Sequence, residues 1–217
     1  DLKYLANYVY EKIFLNYTTK QWGLSPKDVD GAVTARVPVY LSKDNRYFQD
    51  KYQGIPQEGY SKVVEKMLDN PNINVRLNTS FETYKGMCAK DLEDARIFYT
   101  GSIDEFFEYK FGQLPYRSVN FKFEEYDREF YQSHACVNYP NNYDFTRIHE
   151  YKHYLQDKSK RTVIAKEYSE AFELGKNDRY YPILNKKNVE LYNNYLNDAK
   201  KLKNVYFLGR LGNYKYF

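Results

Sequence analysis

Cysteine, histidine, tryptophan and methionine are all scarce in this 217-residue chain, at two, three, one and two residues. Cys88 and Cys136 are far apart and form no Cys-x-x-Cys pair, which excludes a disulfide scaffold and fits a reduced, cytoplasmic protein. His149 and His153 are four apart. The run from Thr146 to Tyr154 alternates as a strand does, however, which spreads them too far for a tight site, so no metal is expected. No apolar run is long enough to cross a bilayer and none reads as a signal peptide, so membrane insertion is not expected. Lys plus Arg exceed Asp plus Glu by only 33 to 29, for a net charge of +4 with no long basic block. Nucleic acid is therefore not the expected partner. The basic runs at Lys158 to Arg161 and Lys200 to Lys203 read as a loop and as the solvent face of a helix end. No G-x-G-x-x-G follows a strand, and neither a phosphate-binding G-x-x-x-x-G-K nor a G-x-S-x-G nucleophile turn occurs. These absences exclude a self-contained dinucleotide, P-loop or serine-hydrolase engine.

What is abundant is tyrosine, 26 residues, with 14 phenylalanines. Much of the apolar payload thus carries a hydroxyl that needs a partner when buried and can bind hydroxyl-rich or phosphate ligands when it lines a cleft. Arginines recur beside these rings and beside small turn residues, at Arg36, Pro115-Tyr116-Arg117, Phe145-Thr146-Arg147 and Gly209-Arg210-Leu211. Guanidinium forks next to flat rings suit a ligand that is anionic and partly aromatic, such as a nucleotide.

Leu2, Leu5, Val9 and Ile13 recur at helical spacing and predict an amphipathic helix over residues 1–15. Ser25-Pro26 has the form of a helix start, and helices are expected from Tyr60 to Leu68 and from Lys187 to Leu202. Strands are expected at Asn72 to Leu77, Arg96 to Thr100, Ser118 to Phe123, Ala135 to Tyr139, Phe145 to Glu150, Arg161 to Tyr168 and Asn204 to Leu208. The fold class is therefore α+β, with an antiparallel sheet beside an incomplete nucleotide-binding α/β layer.

Several segments, in order and in register, are similar to prokaryotic UDP-galactopyranose mutases. They include Tyr17-Thr18-Thr19-Lys20-Gln21-Trp22-Gly23, Arg36-Val37-Pro38-Val39, Asn45-Arg46-Tyr47-Phe48, Tyr52-Gln53-Gly54-Ile55-Pro56, Tyr99-Thr100-Gly101 and Leu114-Pro115-Tyr116-Arg117-Ser118. They continue with Val137-Asn138-Tyr139, Phe145-Thr146-Arg147-Ile148, Lys166-Glu167-Tyr168, Tyr180-Tyr181-Pro182-Ile183 and Gly209 to Tyr216. The resemblance covers nearly the whole chain but only the middle and later part of the longer family protein.

The resemblance implies an FAD-dependent isomerase that interconverts UDP-galactopyranose and UDP-galactofuranose for surface polysaccharide. In that family the N5 of the reduced flavin forms an adduct with the sugar while UDP departs. Carried over, Arg36 and Arg147 match the arginines that clamp the diphosphate, and Tyr181 and Tyr216 match its tyrosine ligands. Tyr17 and Trp22 match residues beside the uridine, and Tyr47 and Asn138 match further nucleotide-sugar contacts. Arg210 matches a flavin-contacting arginine, with Arg117, Thr100 and Gly101 assigned to the cofactor side. Three departures stand out: Ile13 where the family has an aromatic neighbour of the uracil, Ser102 where it has Pro, and a shorter connection between Asn138 and Arg147.

The implied arrangement is the end of a helical domain at 1–15, a sugar-nucleotide domain at 16–59 and 113–182, and a partial FAD-binding layer at 60–112 and 183–217. Without the dinucleotide fingerprint, the piece alone is expected neither to hold FAD tightly nor to turn over. The competing readings are a non-catalytic UDP-sugar-binding module and a purely structural one. The apolar stripe over 1–15 allows self-association, and hence a homodimer.

Overall fold

The computed structural model describes residues 1–29, 31 and 40–216, so Arg36 lies outside the described residues. In chain order the elements are α1 (Leu2–Val9), a π-wound stretch (Tyr10–Leu15), α2 (Asn16–Trp22), a 3₁₀ turn (Pro26–Asp28), α3 (Tyr60–Leu68) and α4 (Phe81–Met87). A second 3₁₀ turn (Ala89–Leu92), β1 (Ile97–Tyr99), α5 (Ile103–Phe106), β2 (Tyr116–Tyr126), β3 (Cys136–Asn138) and β4 (Arg147–Glu150) follow. The remainder is α6 (Lys152–Leu155), β5 (Thr162–Ala171), β6 (Tyr181–Pro182), α7 (Lys186–Ala199), β7 (Val205–Phe207) and α8 (Gly209–Gly212). The chain forms two units, one from residues 1–59 and 116–185, the other from 60–115 and 186–217.

In the first unit, β3-β4-β5-β2-β6 form an antiparallel sheet with α2 packed on β5. All five strands come from residues 116–182, and the described part of 16–59 adds helix and irregular chain. Alternation along β4 sends Ile148 and Glu150 to one face and Arg147 and His149 to the other. Ile148 joins Ile164 and Phe145 in a core flanked by Tyr126, Tyr131, Tyr139 and Tyr168. Glu150 is buried there yet satisfied, accepting from the backbone N–H groups of Tyr131 (2.8 Å) and Gln132 (2.9 Å) and from the Thr162 hydroxyl (2.5 Å).

β4 ends at Glu150, where the expected strand from Phe145 ends, and the strand-like alternation does not carry on to Tyr154 because the chain curls so that Lys152 can reach three carbonyls. Its ammonium donates to those of Glu129 (2.7 Å), Ser159 (2.5 Å) and Arg161 (3.2 Å). A buried ammonium needs such partners, and Gln156 closes the turn in the left-handed region at φ 53°. His153 consequently faces Glu150 and the Gln132 carbonyl, whereas His149 faces Glu167. No metal-holding group of three or more His, Cys, Asp or Glu exists among the described residues.

The helix α2 ends at Gly23, whose N–H donates to the Thr19 carbonyl at 2.8 Å with φ at +65°. Glycine is required here twice over. The left-handed cap disfavours a side chain, and a Cβ would stand 3.0 Å from an Arg117 nitrogen.

In the second unit, β1 and β7 pair in parallel, and the expected strand at Asn72 to Leu77 does not form. Ile73, Val75 and Leu77 are exposed there, with no ladder partner among the described residues. The core is aromatic: the Phe106 ring lies 5.0 Å from both Tyr99 and Phe207 and 5.8 Å from Phe81. Its tyrosines find the partners that burial demands. The Tyr195 hydroxyl donates to the Gly112 carbonyl (2.6 Å) and accepts from the Phe111 N–H (3.0 Å), and the Tyr214 hydroxyl donates to the Pro115 carbonyl (2.6 Å). Ser102, which stands where the resemblance expects Pro, donates to the buried Asp104 carboxylate, which in turn accepts from the Leu114 N–H at 2.8 Å.

Candidate functional site

Register decides which side chains of the first unit share a surface. Asn138 pairs with Arg147, Arg147 with Glu167, and Arg117 with both Ala171 and Tyr181. Directly paired residues point to the same face. Asn138, Arg147, Glu167, Arg117 and Tyr181 therefore line one side of the sheet, opposite the apolar core. Helix α2 belongs to the same surface, because Tyr17 hydrogen-bonds Arg147 and the Trp22 ring lies 6.0 Å from that of Tyr181.

Arg147 is the centre of this surface. One terminal nitrogen meets the Tyr17 hydroxyl, and its Nε lies 3.2 Å from Glu167 Oε1 without its N–H being aimed at that oxygen. The contact with Glu167 is thus ionic, and a buried donor is left over. Burial works against the guanidinium charge, but Tyr17, Glu167 and Tyr181 outweigh it, so the pKa is raised and Arg147 stays cationic. Burial also pushes the Tyr17 hydroxyl up, partly opposed by Arg147, which keeps it a neutral donor.

Glu167 is buried, and burial alone would raise its pKa. The hydrogen bond from His149, the charge of Arg147 and the Thr146 hydroxyl at 3.0 Å together pull it below the ordinary value. His149 is raised to about 9 by its side-chain hydrogen bonds to Cys136 and Glu167, against the opposing effect of burial.

Two residues fix α2 on the sheet. The ammonium of Lys20 donates to the carbonyls of Tyr139, Tyr143 (3.0 Å) and Phe145 (2.9 Å), tying the helix to the β3–β4 connection. Arg117 donates to the Gln21 carbonyl at 3.0 Å and to the Ser169 hydroxyl at 3.1 Å, and Ser169 donates to the same carbonyl at 2.6 Å. Arg117 here holds the C-terminal end of the helix that carries Tyr17 and Trp22. Trp22 is only 4% exposed, so it offers a ligand no more than an edge.

Tyr47 is exposed and packs edge-on against Phe48 at 4.8 Å, making no contact with the Arg147 cluster. Ile13 is exposed, and Phe14 beside it is half-buried. Glu167 and Lys20 were given no role by sequence reasoning, although both lie inside the quoted motifs. The signal available was that each is a charged residue within an otherwise aromatic or polar segment.

In the second unit, β1 and β7 end side by side, since the Leu208 N–H donates to the Tyr99 carbonyl at 3.0 Å. Thr100-Gly101 and Gly209-Arg210 leave those ends together, the position at which parallel strands receive ligands. Thr100, Gly101 and Tyr99 line a cavity of about 760 Å³ with Arg76, Phe81 and Glu105. The guanidinium of Arg210 lies over the Tyr216 ring, 4.7 Å from its centroid. Tyr216 thus stands beside Arg210.

A curled antiparallel sheet within a mixed α+β chain thus carries an arginine-centred, tyrosine-lined surface. Residues 12–216 match the family model described as UDP-galactopyranose mutase, and the chain belongs to that family. It is 37% identical over 219 residues to a probable UDP-galactopyranose mutase of Klebsiella pneumoniae, covering 99% of this chain and 55% of that protein. It is 32% identical over 220 residues to a dTDP-fucopyranose mutase of Escherichia coli, covering 99% and 58%. It is 34% identical over 223 residues to the UDP-galactopyranose mutase of Mycoplasma genitalium, covering 98% and 55%. The chain spans a little over half the length of these curated relatives. No helix among the described residues is long and apolar enough to cross a membrane.

Proposed function

We propose that this chain carries the nucleotide-sugar surface of a UDP-galactopyranose mutase, and that the diphosphate of UDP-galactose lies on Arg147. The observation that carries this reading is the half-buried Arg147 guanidinium, held between Tyr17 and Glu167 and on one sheet face with Asn138 and Tyr181. A fixed cation near hydroxyl donors stabilises charge that gathers on a departing diphosphate, which is where such an arrangement lowers a barrier. Tyr17 keeps its proton and can donate it in a hydrogen bond. Arg36 is proposed as a second clamp on the strength of its motif, and Tyr47 and Trp22 as neighbours of the nucleoside. Tyr216 is kept as a diphosphate ligand on the same ground.

The residues present fit part of an FAD site. Thr100 and Gly101 leave the end of a parallel strand beside an open cavity, and Arg210 stands at the end of its partner strand. These residues, with Arg117 acting through α2, would hold the cofactor side in the complete protein. Reduced FAD, when bound, supplies the nucleophile for opening and reclosing the sugar ring. Ring contraction from pyranose to furanose is accordingly proposed for the whole protein, in the cytoplasm.

One observation favours a second reading. Arg147 already pairs with Glu167, so the same contacts would serve a purely structural module. Calorimetric titration of UDP into the chain, with Arg147→Ala as control, separates the two. Binding that disappears in the variant supports the nucleotide-sugar reading. Equal heats from both proteins, or binding that survives in the variant, would remove Arg147 from the site.

A further inference from the structure

Cys136 on β3 stands directly opposite His149 on β4, so the thiol and the imidazole lie side by side on one face of the sheet. On its other side, His149 Nε2 lies 3.1 Å from Glu167 Oε2, and that carboxylate is buried. A thiol, an imidazole and a carboxylate thus run in line from the surface into the sheet. Cys136 is exposed, at the outer end of the line, on the strand that forms one edge of the sheet. The imidazole is held in plane as well as at its nitrogens: the Tyr151 ring stacks on it at 5.9 Å with 9° between planes, and Phe121 abuts it at 6.0 Å.

An ordinary surface cysteine has none of this support. A thiol is made nucleophilic by a neighbouring imidazolium that stabilises its thiolate and is itself oriented by a third group. The charged and titratable groups around His149 are Cys136 from β3, Arg147 from its own strand, Glu167 from β5 and Tyr151 just beyond β4. Arg147 shares Glu167 with the histidine, so the carboxylate is held in place from both sides. The second cysteine, Cys88, is half-buried in the other unit, where its sulfur lies 3.9 Å from the Arg76 guanidinium and near no histidine base among the described residues.

We propose that Cys136 is a modification site, a thiol primed by His149 and Glu167 for exchange with small disulfides. In the step, Cys136 Sγ attacks one sulfur of the disulfide, a new S–S bond forms and the original S–S bond breaks. The His149 imidazolium stabilises the attacking thiolate and the departing sulfur takes up the proton that Cys136 gave up, so thiol plus disulfide gives mixed disulfide plus thiol. The adduct would sit on the same strand face as Asn138, next to Arg147. The proposal rests on this geometry and not on the nucleotide-sugar reading.

The test is the rate of reaction with 4,4′-dithiodipyridine at neutral pH, in a Cys88→Ser background, for the native chain and for the same chain unfolded in urea. Exposure alone cannot make a native thiol faster than an unfolded one. Activation should make native Cys136 react about tenfold faster than when unfolded, and His149→Gln should remove most of that excess. A native rate at or below the unfolded rate overturns the proposal, and needs no variant to be interpretable. So does a His149→Gln protein that keeps its buried Trp22 fluorescence and still reacts at the parent rate.

Discussion

Replacing Lys20 with Met tests whether one ammonium fixes α2, and with it the proposed nucleotide-sugar surface, on the sheet. The side chains are similar in length and helix propensity, so α2 itself is barely perturbed. What is lost is the set of hydrogen bonds to the carbonyls of Tyr139, Tyr143 and Phe145, two of them part-buried. A hydrogen bond to a charged group is worth about 1.5–3 kcal/mol. Burial pushes the Lys20 pKa down, so desolvating the ammonium takes back part of the gain. The exposed bond adds little, and the net loss should be about 3 kcal/mol. The assay is urea unfolding followed by the fluorescence of Trp22, the chain's single tryptophan, which is buried two residues further along α2. With a slope of about 2–3 kcal/mol per molar urea, the midpoint should fall by about 1 M at unchanged slope. A midpoint within about 0.2 M of the parent would refute the reasoning, because it would mean the three carbonyls are as well served by water.

Three further outcomes are expected. His149 is raised from 6.5 to about 9, so its contribution is complete below pH 6.5 and is lost as pH rises through 9. The melting temperature should fall over that window, by the equivalent of at most about 3 kcal/mol, and His149→Gln should flatten the profile. Gly23→Ala should destabilise the first unit by about 1–2 kcal/mol, read from thermal unfolding, since a side chain is strained in that conformation and presses on Arg117. Tyr195→Phe leaves the Gly112 carbonyl and Phe111 N–H without their hydroxyl partner and should cost about 1–3 kcal/mol. A loss below about 0.5 kcal/mol in thermal unfolding would show that water replaces that hydroxyl.

Much of the architecture was legible from local pattern. The helix at Tyr60 to Leu68 and the strands around Ile97, Ser118, Val137, Ile148, Ile164 and Tyr206 follow the hydrophobic spacing. Asn72 to Leu77 alternates equally well and is no strand, because a strand needs a neighbour and spacing cannot supply one. The motifs pointed to Arg147, Tyr17, Asn138 and Tyr181; register puts Arg147, Asn138 and Tyr181 on one face, and Tyr17 joins them through its hydrogen bond with Arg147. Lys20, Glu167 and the Cys136–His149 pair were not legible as a network. Their partners lie in other strands, and pairing register is a long-range property that no short window contains.

The attachment of α2 also bears on how the chain acquires its structure. Lys20 grips a carbonyl 119 positions away, and the Gln21 carbonyl is held by a hydroxyl 148 positions away. Closing loops of that length is entropically costly and slow. The helix bearing Tyr17 and Trp22 is made early during synthesis but has nowhere to dock until β5 is in place. The surface that α2 completes should then be the last part of the first unit to mature, after the sheet has collapsed. In stopped-flow refolding, burial of Trp22 should lag the far-ultraviolet signal of the sheet, and simultaneous signals would show that helix and sheet condense together.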